Sequence, residues 1–293
     1  MKKLSLISIL SLIIGLLLML GGMALIGFDF ANLSTTKKEL VTHEITQSFE
    51  NISIEVDTAD IRLAQSTDDT CKIVCYEDTK AKHSAIVTDG TLSVQSQSDL
   101  KWYDHIGINT DSAYVILYLP TTKYNSITLT TDTGDIKVPS LFTFENANVE
   151  TDTGDITWEA TVANTLSLSV DTGDVEVKNI HVNTLILKSD TGEAELSSIQ
   201  CQTLSAKMDT GNIELENVLV SGKISIETAT GDVELNNCDA AELWIKTSTG
   251  DVSGMLLTEK EYIYKTSTGK VHVPETTGGR CEITTTTGDI YFR

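Results

Sequence analysis

The stretch Leu166-Ser167-Leu168-Ser169-Val170-Asp171-Thr172-Gly173-Asp174-Val175-Glu176-Val177 decides the fold of this chain. Apolar and polar residues alternate on both sides of its Thr-Gly dipeptide, as in strands that bury one face. The dipeptide itself indicates a turn, because glycine accepts a positive φ at no steric cost and flanking aspartates hydrogen-bond nearby amides. The stretch is therefore a strand–turn–strand unit.

This unit recurs to the end of the chain. Its Thr-Gly dipeptide occurs nine times at a spacing of 19 or 20 residues, with the glycines at Gly134, Gly154, Gly173, Gly192, Gly211, Gly231, Gly250, Gly269 and Gly288. A fixed period of this kind predicts supersecondary units that bury their apolar faces only by stacking on neighbours. The period is too short for a propeller blade of about 40 residues, but it suffices for two strands and a short third side.

The sequence thus predicts an all-β fold, a parallel β-solenoid (β-helix) of about nine turns in which each strand pairs with its equivalent in the next turn. The third side carries its own apolar residues, such as Ile180 and Val182. A β-sandwich of short strands is the alternative architecture. It would not require the same dipeptide at one phase of every repeat.

The amino-terminal residues 1–30 form a separate element. Met1-Lys2-Lys3 is followed by an uncharged, mainly apolar run from Leu4 to Phe28. This run exceeds both the ~20 residues that cross a bilayer as a helix and the ~7–15 of a cleaved signal core. With the lysines on one side and Asp29 on the other, it predicts one transmembrane helix with a cytoplasmic amino terminus and an extracytoplasmic solenoid. Cleavage near Gly22-Met23-Ala24 is the alternative.

Three further segments follow the anchor. Residues 31–43 are expected to form a tether, residues 44–123 an irregular N-terminal β cap with degenerate repeats, and residues 124–293 the solenoid repeats. In the cap, Ile52 to Leu63 is a copy with Ala59 in the glycine position, and Thr88 to Leu92 is expected to be another. Trp102 to His105 is expected in a loop. Solenoids need atypical end turns to shield the terminal core.

Three features carry a resemblance to a known family: the block Phe49-Glu50-Asn51-Ile52-Ser53-Ile54-Glu55-Val56, the Leu119-Pro120 pair and the recurring Thr-Gly-Asp-Ile/Val turns. The chain resembles, over roughly residues 44 to 293, the bacterial β-strand-repeat proteins known as "putative adhesins" of unknown function. The resemblance implies an envelope protein, often from Gram-positive species. It supplies no catalytic residues to transfer to this sequence.

Composition narrows the classes of partner. The formal net charge is −21, from 42 acidic and 21 basic residues. This charge argues against nucleic-acid binding, which requires clustered Lys and Arg, and against docking on anionic lipid through a basic patch. The expected contacts are the membrane, through the N-terminal helix, and an envelope protein or a glycan. The expected function is a cell-envelope scaffold or adhesin-like binding module.

Acidic residues recur on both sides of the turn glycines. Two residues before the glycine stand Asp132, Asp152, Asp171, Asp190 and Asp209; directly after it stand Asp135, Asp155, Asp174, Glu193, Asn212, Asp232 and Asp251. In a solenoid these residues become two columns, and neighbouring carboxylates within a column lie about 4.8 Å apart. A Ca²⁺ ion would relieve the repulsion between them. The candidate metal ligands are Asp132, Asp135, Asp152, Asp155, Asp171 and Asp174. The alternative, which we favour, is solvated turn aspartates without a metal or other cofactor.

No catalytic constellation is evident in the sequence. Parallel β-helices host carbohydrate-active enzymes, but a carboxylate pair there should lie in a cleft built by insertions, and repeats of 19 or 20 residues contain none. Five histidines, His43, His83, His105, His181 and His272, match no metal or triad spacing. Cys71 and Cys75, four apart on one strand, are too distant for a disulfide, and Cys201 and Cys238 are expected in the core. We therefore predict that the protein is not an enzyme.

Overall fold

A computed structural model of the protein describes residues 2–25, 37–98 and 112–293. Within these ranges the chain forms the helix α1 (Lys2–Leu25) and 24 strands. The first strands are β1 (Lys38–Ile45), β2 (Asn51–Thr58), β3 (Asp60–Gln65), β4 (Cys71–Asp78), β5 (Ala81–Thr88), β6 (Thr91–Ser98) and β7 (Tyr114–Leu119). The repeats then supply β8 (Lys123–Thr133), β9 (Ile136–Val138), β10 (Thr143–Thr153), β11 (Ile156–Trp158), β12 (Thr161–Thr172), β13 (Val175–Lys178), β14 (His181–Thr191), β15 (Ala194–Ser197), β16 (Gln200–Thr210), β17 (Ile213–Glu216), β18 (Leu219–Thr230) and β19 (Val233–Thr249). The last strands are β20 (Val252–Leu256), β21 (Lys260–Lys265), β22 (Val271–His272), β23 (Gly279–Thr284) and β24 (Ile290–Phe292).

The repeats form the expected parallel β-solenoid of about nine turns, so this prediction is confirmed. Each turn contributes a long and a short strand, and both pair in parallel with their equivalents in neighbouring turns: β12 with β10 and β14, and β13 with β11 and β15. Leu168 lies opposite Leu187, and Val177 opposite Leu196, so the core positions stack in register. These residues are fully buried, and the core is continuous along the rod.

The third side of each turn begins at a corner that the Thr-Gly pattern did not reveal. Asn179, Ser198, Asn217 and Asn237, each six residues after a turn glycine, adopt positive φ values of 54–56°. Asparagine tolerates this left-handed conformation better than most residues. The chain then turns inward, and Ile180 is buried on the third side as expected. A recurring Asn or Ser at this phase is the sequence signal for the corner.

The N-terminal end of the solenoid is closed by antiparallel strands. β2 lies between β6 and β8 in a parallel arrangement, and Ala59 occupies the glycine position next to Gly134. β6 then pairs antiparallel with β5, and β7 with β4, which also pairs with β1. Two expectations were wrong: Asp89 and Gly90 form the hairpin turn between β5 and β6 rather than a solenoid turn, and residues 38–43 of the expected tether belong to β1. Trp102 to His105 lies outside the described residues.

The C-terminal end departs from the expected order of turns. β23 pairs with β19 on one side and with β21 on the other, and β24 lies likewise between β20 and β22. The turn carrying Gly288 is therefore inserted between those carrying Gly250 and Gly269. The expectation that every turn stacks on its successor in sequence is wrong here, because residues 279–293 fold back into the stack.

The transmembrane helix expected in residues 1–30 is not supported. Among the residues that the structure describes, no helix is long and apolar enough to cross a membrane.

Candidate functional site

The glycine column brings adjacent turns into direct backbone contact. A Cβ atom added at Gly211 would overlap the carbonyl oxygen of Gly192, and the same holds between Gly173 and Gly154. Gly211 also has a φ of 139°, a value that other residues rarely adopt. The Thr-Gly turn is thus a packing device, and its invariance within this chain has a structural reason.

The aspartates directly after the glycines form a ladder of side-chain-to-backbone hydrogen bonds. The Asp155 backbone N–H donates to Asp135 Oδ1 at 3.0 Å, and the Asp174 N–H donates to Asp155 Oδ1 at 2.8 Å. The same contact joins Glu193 to Asp174, and later Asp251 to Asp232. Each aspartate of this ladder therefore binds the next turn, which is a structural reason for its presence.

The column two residues before the glycines, Asp132, Asp152, Asp171, Asp190 and Asp209, is exposed along its length. Within the described residues, only Cys75, Glu77 and His83 form a group of three or more possible ligands whose ligand atoms lie within 4.8 Å of one another. The six candidate aspartates lie along one edge of the rod without forming such a group. Calcium binding there stays a prediction.

A third acidic column was missed by the sequence reasoning. Glu176, Glu195, Glu214 and Glu234 pair directly on neighbouring short strands. Burial raises the pKa of the Glu214 carboxyl, and the charges of Glu234 and Glu195 raise it further. A glutamate three residues after four successive turn glycines is the signal that could have revealed this stripe.

The buried group Cys75–Glu77–His83 lies where β4 and β5 separate. Glu77 Oε2 accepts hydrogen bonds from the His83 backbone N–H at 2.7 Å and contacts His83 Nδ1 at 2.8 Å. Glu77 is 1 % exposed and His83 is buried. These contacts satisfy a carboxylate and an amide that burial would otherwise leave unpaired. No spacing in the sequence indicated this group.

All five cysteines are buried and unbonded, and the core position expected for Cys201 and Cys238 is confirmed. Burial raises the pKa of Cys71, Cys75 and Cys281 to about 12, and that of Cys201 and Cys238 to about 11. Thiols with such pKa values are poor nucleophiles at neutral pH. They therefore act as small core residues.

The C-terminal end of the solenoid is an edge of the sheet in the described part of the chain. In that part of the chain, β21 pairs with β23 on one side and has no partner strand on the other. Ile263 is 43 % exposed and Tyr264 is 50 % exposed. Of the two tyrosines of β21, only Tyr262 packs on the core, with its ring 5.4 Å from that of Phe292.

A buried lysine fixes this edge to the body of the solenoid. Lys260 is 3 % exposed, and its ammonium group donates to Asp239 Oδ1 at 2.6 Å, to the Ala240 carbonyl at 2.7 Å and to Thr258 Oγ1 at 2.7 Å. Although burial acts to raise the pKa of Asp239, its hydrogen bonds from Lys260 and Thr258 lower it overall. The start of β21 is therefore held rigidly, whereas its outer edge stays open.

Comparison with known protein families agrees with this architecture. A family model described as Toastrack DUF4097 matches residues 49–290. The chain belongs to this toastrack family. The resemblance drawn from the turns and from the Phe49–Val56 block is thereby confirmed. A comparison with curated proteins found no match.

Several solved structures are similar to this toastrack solenoid. A "putative adhesin" from Bacteroides fragilis NCTC 9343 is 17 % identical, with 88 % of this chain and 98 % of that chain covered and a TM-score of 0.43. A "putative adhesin" from Parabacteroides distasonis ATCC 8503 is 12 % identical, with coverage of 88 % and 98 % and a TM-score of 0.47. A "putative lipid binding protein" from the same organism is 14 % identical, with coverage of 87 % and 97 % and a TM-score of 0.43. None of these names states an enzymatic activity.

Proposed function

We propose that this toastrack protein is an extracytoplasmic scaffold or adhesin-like binding module that catalyses no reaction. The observation that carries the proposal is the open edge of β21, where unpaired backbone groups lie beside the exposed side chains of Ile263 and Tyr264. Such an edge is a template for pairing with another chain. Proteins that do not use an edge usually shield it.

The location outside the cytoplasm is supported by the sequence. The lysines at positions 2 and 3, ahead of the apolar run from Leu4 to Phe28, favour a cytoplasmic amino terminus, with the solenoid on the other side. Attachment to the membrane through this run is part of the proposal. Protease added to intact, wall-less cells should degrade the solenoid; protection of residues 44–293 would refute the location.

A photo-crosslinking amino acid at Tyr264 tests the binding role in the full chain and in intact cells. We expect adducts at Tyr264 and none at Lys188, an exposed position on the long face of the rod. The control carries the same reagent at a position that is also exposed, but this position lies on a strand that is paired on both sides. If adducts are absent at Tyr264, or equal at the two positions, the edge has no binding role.

A further inference from the structure

We propose that the occupant of the open edge is a second copy of this chain: β21 pairs antiparallel with its own equivalent around Ile263 and joins two solenoids end to end. The proposal rests on the binding role proposed above and names its partner. Three features of β21 support it, namely the direction of its free backbone groups, the register that these groups allow and the charges that this register brings together.

The first feature is the direction of the backbone groups. The Lys265 carbonyl accepts a hydrogen bond from the Thr285 N–H at 2.9 Å, so the backbone groups of Lys265 face β23. The direction of the backbone N–H and C=O groups alternates from one residue of a strand to the next. The backbone groups of Glu261 and Ile263 therefore also face β23, whereas those of Tyr262 and Tyr264 face outward. The edge therefore offers two evenly spaced sets of donors and acceptors.

The second feature is the register. In an antiparallel pair, opposite residues must both direct their backbone groups toward the partner or both away from it. A two-fold axis must then pass through a residue and cannot pass between two. With the axis at Ile263, each Tyr262 lies opposite Tyr264 of the second copy, and each such pair exchanges both N–H···O=C hydrogen bonds. Ile263 lies opposite itself, in a position without inter-strand hydrogen bonds.

The third feature is charge. The Ile263-centred register places Glu261 opposite Lys265 of the second copy, and the symmetry creates this pair twice. A two-fold axis at Tyr262 would instead place Glu261 opposite Ile263 of the second copy. An axis at Tyr264 would place Lys265 opposite Ile263 of the second copy. Opposite charges across a strand pair are stabilising, and like charges are destabilising. The sequence Lys260-Glu261-Tyr262-Ile263-Tyr264-Lys265 is thus complementary to itself in one register.

The two-fold symmetry of the contact makes this assembly closed. The other end of the solenoid ends in the antiparallel strands β1, β4 and β5, whose sequences differ from that of β21. A two-fold contact between identical edges ends with the dimer. Since β1 and β21 lie at opposite ends of the stack, the N-terminal strands of the two chains would lie at the two outer ends of the paired rod.

Cysteine crosslinking in the full chain tests the register directly. Opposite residues of a non-hydrogen-bonded pair have Cα atoms about 4.5 Å apart, within the range of a disulfide. Under mild oxidation with copper phenanthroline, Ile263→Cys should form a disulfide-linked dimer. Lys265→Cys, on the same face, should not, because its equivalents would be separated by about four residues along the strands. Background from the five native cysteines is low because they are buried.

Charge reversal provides an independent measurement. Glu261→Lys or Lys265→Glu alone should weaken dimerisation on the order of tenfold, because both cross-strand pairs become repulsive. The double variant Glu261→Lys/Lys265→Glu should restore it. Lys207→Glu, an exposed change of equal charge in the middle of the long face, should have no effect. Circular dichroism checks that each variant is folded.

Two results would overturn the proposed dimer: equal crosslinking of Ile263→Cys and Lys265→Cys, or failure of the double variant to recover dimerisation. These results separate the dimer from the broader binding role. Adducts at Tyr264 in cells together with a monomeric purified protein would reject the second copy as the occupant and retain a binding edge. If Tyr264 gives no adducts in cells but the purified protein dimerises in the stated register, the cellular role fails and the contact stands.

Discussion

Replacement of Gly211 by alanine tests whether the spacing of the solenoid turns depends on bare backbone at the Thr-Gly corner. The added Cβ would overlap the Gly192 carbonyl oxygen, so the turns must separate or tilt. Two backbone hydrogen bonds lie at this corner, from the Gly211 N–H to Thr230 at 2.8 Å and from the Gly192 N–H to Thr210 at 3.1 Å. Strain of about 1–3 kcal/mol at the disfavoured φ, with ~1 kcal/mol for each weakened hydrogen bond, gives a loss of about 3–5 kcal/mol.

Gly90 provides the matched control for this substitution. It also has a positive φ, of 73°, but nothing lies within 4 Å of an added Cβ. Gly90→Ala should therefore cost only the conformational strain, about 1 kcal/mol. Urea unfolding of the full chain, followed by circular dichroism, measures both variants. If Gly211→Ala is no more destabilising than Gly90→Ala, close contact between the turns does not determine their spacing.

Three further predictions concern the acidic columns. Asp155→Ala should destabilise the protein by about 1 kcal/mol and Asp155→Asn by much less, because asparagine keeps an acceptor for the Asp174 N–H; equal urea midpoints would contradict the ladder. Glu214→Gln should stabilise the protein by a few tenths of a kcal/mol near neutral pH. Because the pKa of Glu214 is raised in the folded state, the charged carboxylate destabilises the fold increasingly as pH rises through that pKa, and this destabilisation vanishes at acid pH. A difference in stability that does not depend on pH would refute this cause. With Asp152, Asp155, Asp171 and Asp174 all replaced by Asn, we expect a more stable metal-free protein, and NaCl should stabilise the parent as well as Ca²⁺ does at matched ionic strength; a rise in melting temperature specific to Ca²⁺ and absent from the variant would instead show a calcium site.

The sequence was sufficient to predict the repeating cross-section of this fold. Alternation around Gly173 placed Leu168 and Val175 in the core, and both are buried. The repeat period arises because each turn packs on a nearly identical turn, so the same types of residue are required at equivalent positions of every turn. The Asn179 corner follows the same logic and was missed only because the Thr-Gly phase is more conspicuous.

The ends of the solenoid could not be predicted in this way. A strand that closes a stack contacts a different neighbour on each side, so its residues obey no shared period. β4 alternates like a solenoid strand, with Cys71, Ile73 and Cys75 buried, yet it pairs antiparallel with β1 and β7. The alternation of apolar and polar residues indicates which face of a strand is buried, but it does not indicate whether the neighbouring strand is parallel or antiparallel.

The inserted C-terminal turn shows the same limit in another form. The turns around Gly269 and Gly288 both present Thr-Gly to the stack, so either could follow the turn of Gly250. Their flanks differ: residues 281–283 supply Cys281 and Ile283, both buried, whereas β21 carries the exposed Ile263 and Tyr264. The strand with Cys281 and Ile283 at its inward positions occupies the inner place, and the strand with tyrosines at the equivalent positions becomes the edge. The order of turns therefore follows burial rather than sequence, and it leaves at the end of the rod a strand whose charges complement those of its own copy.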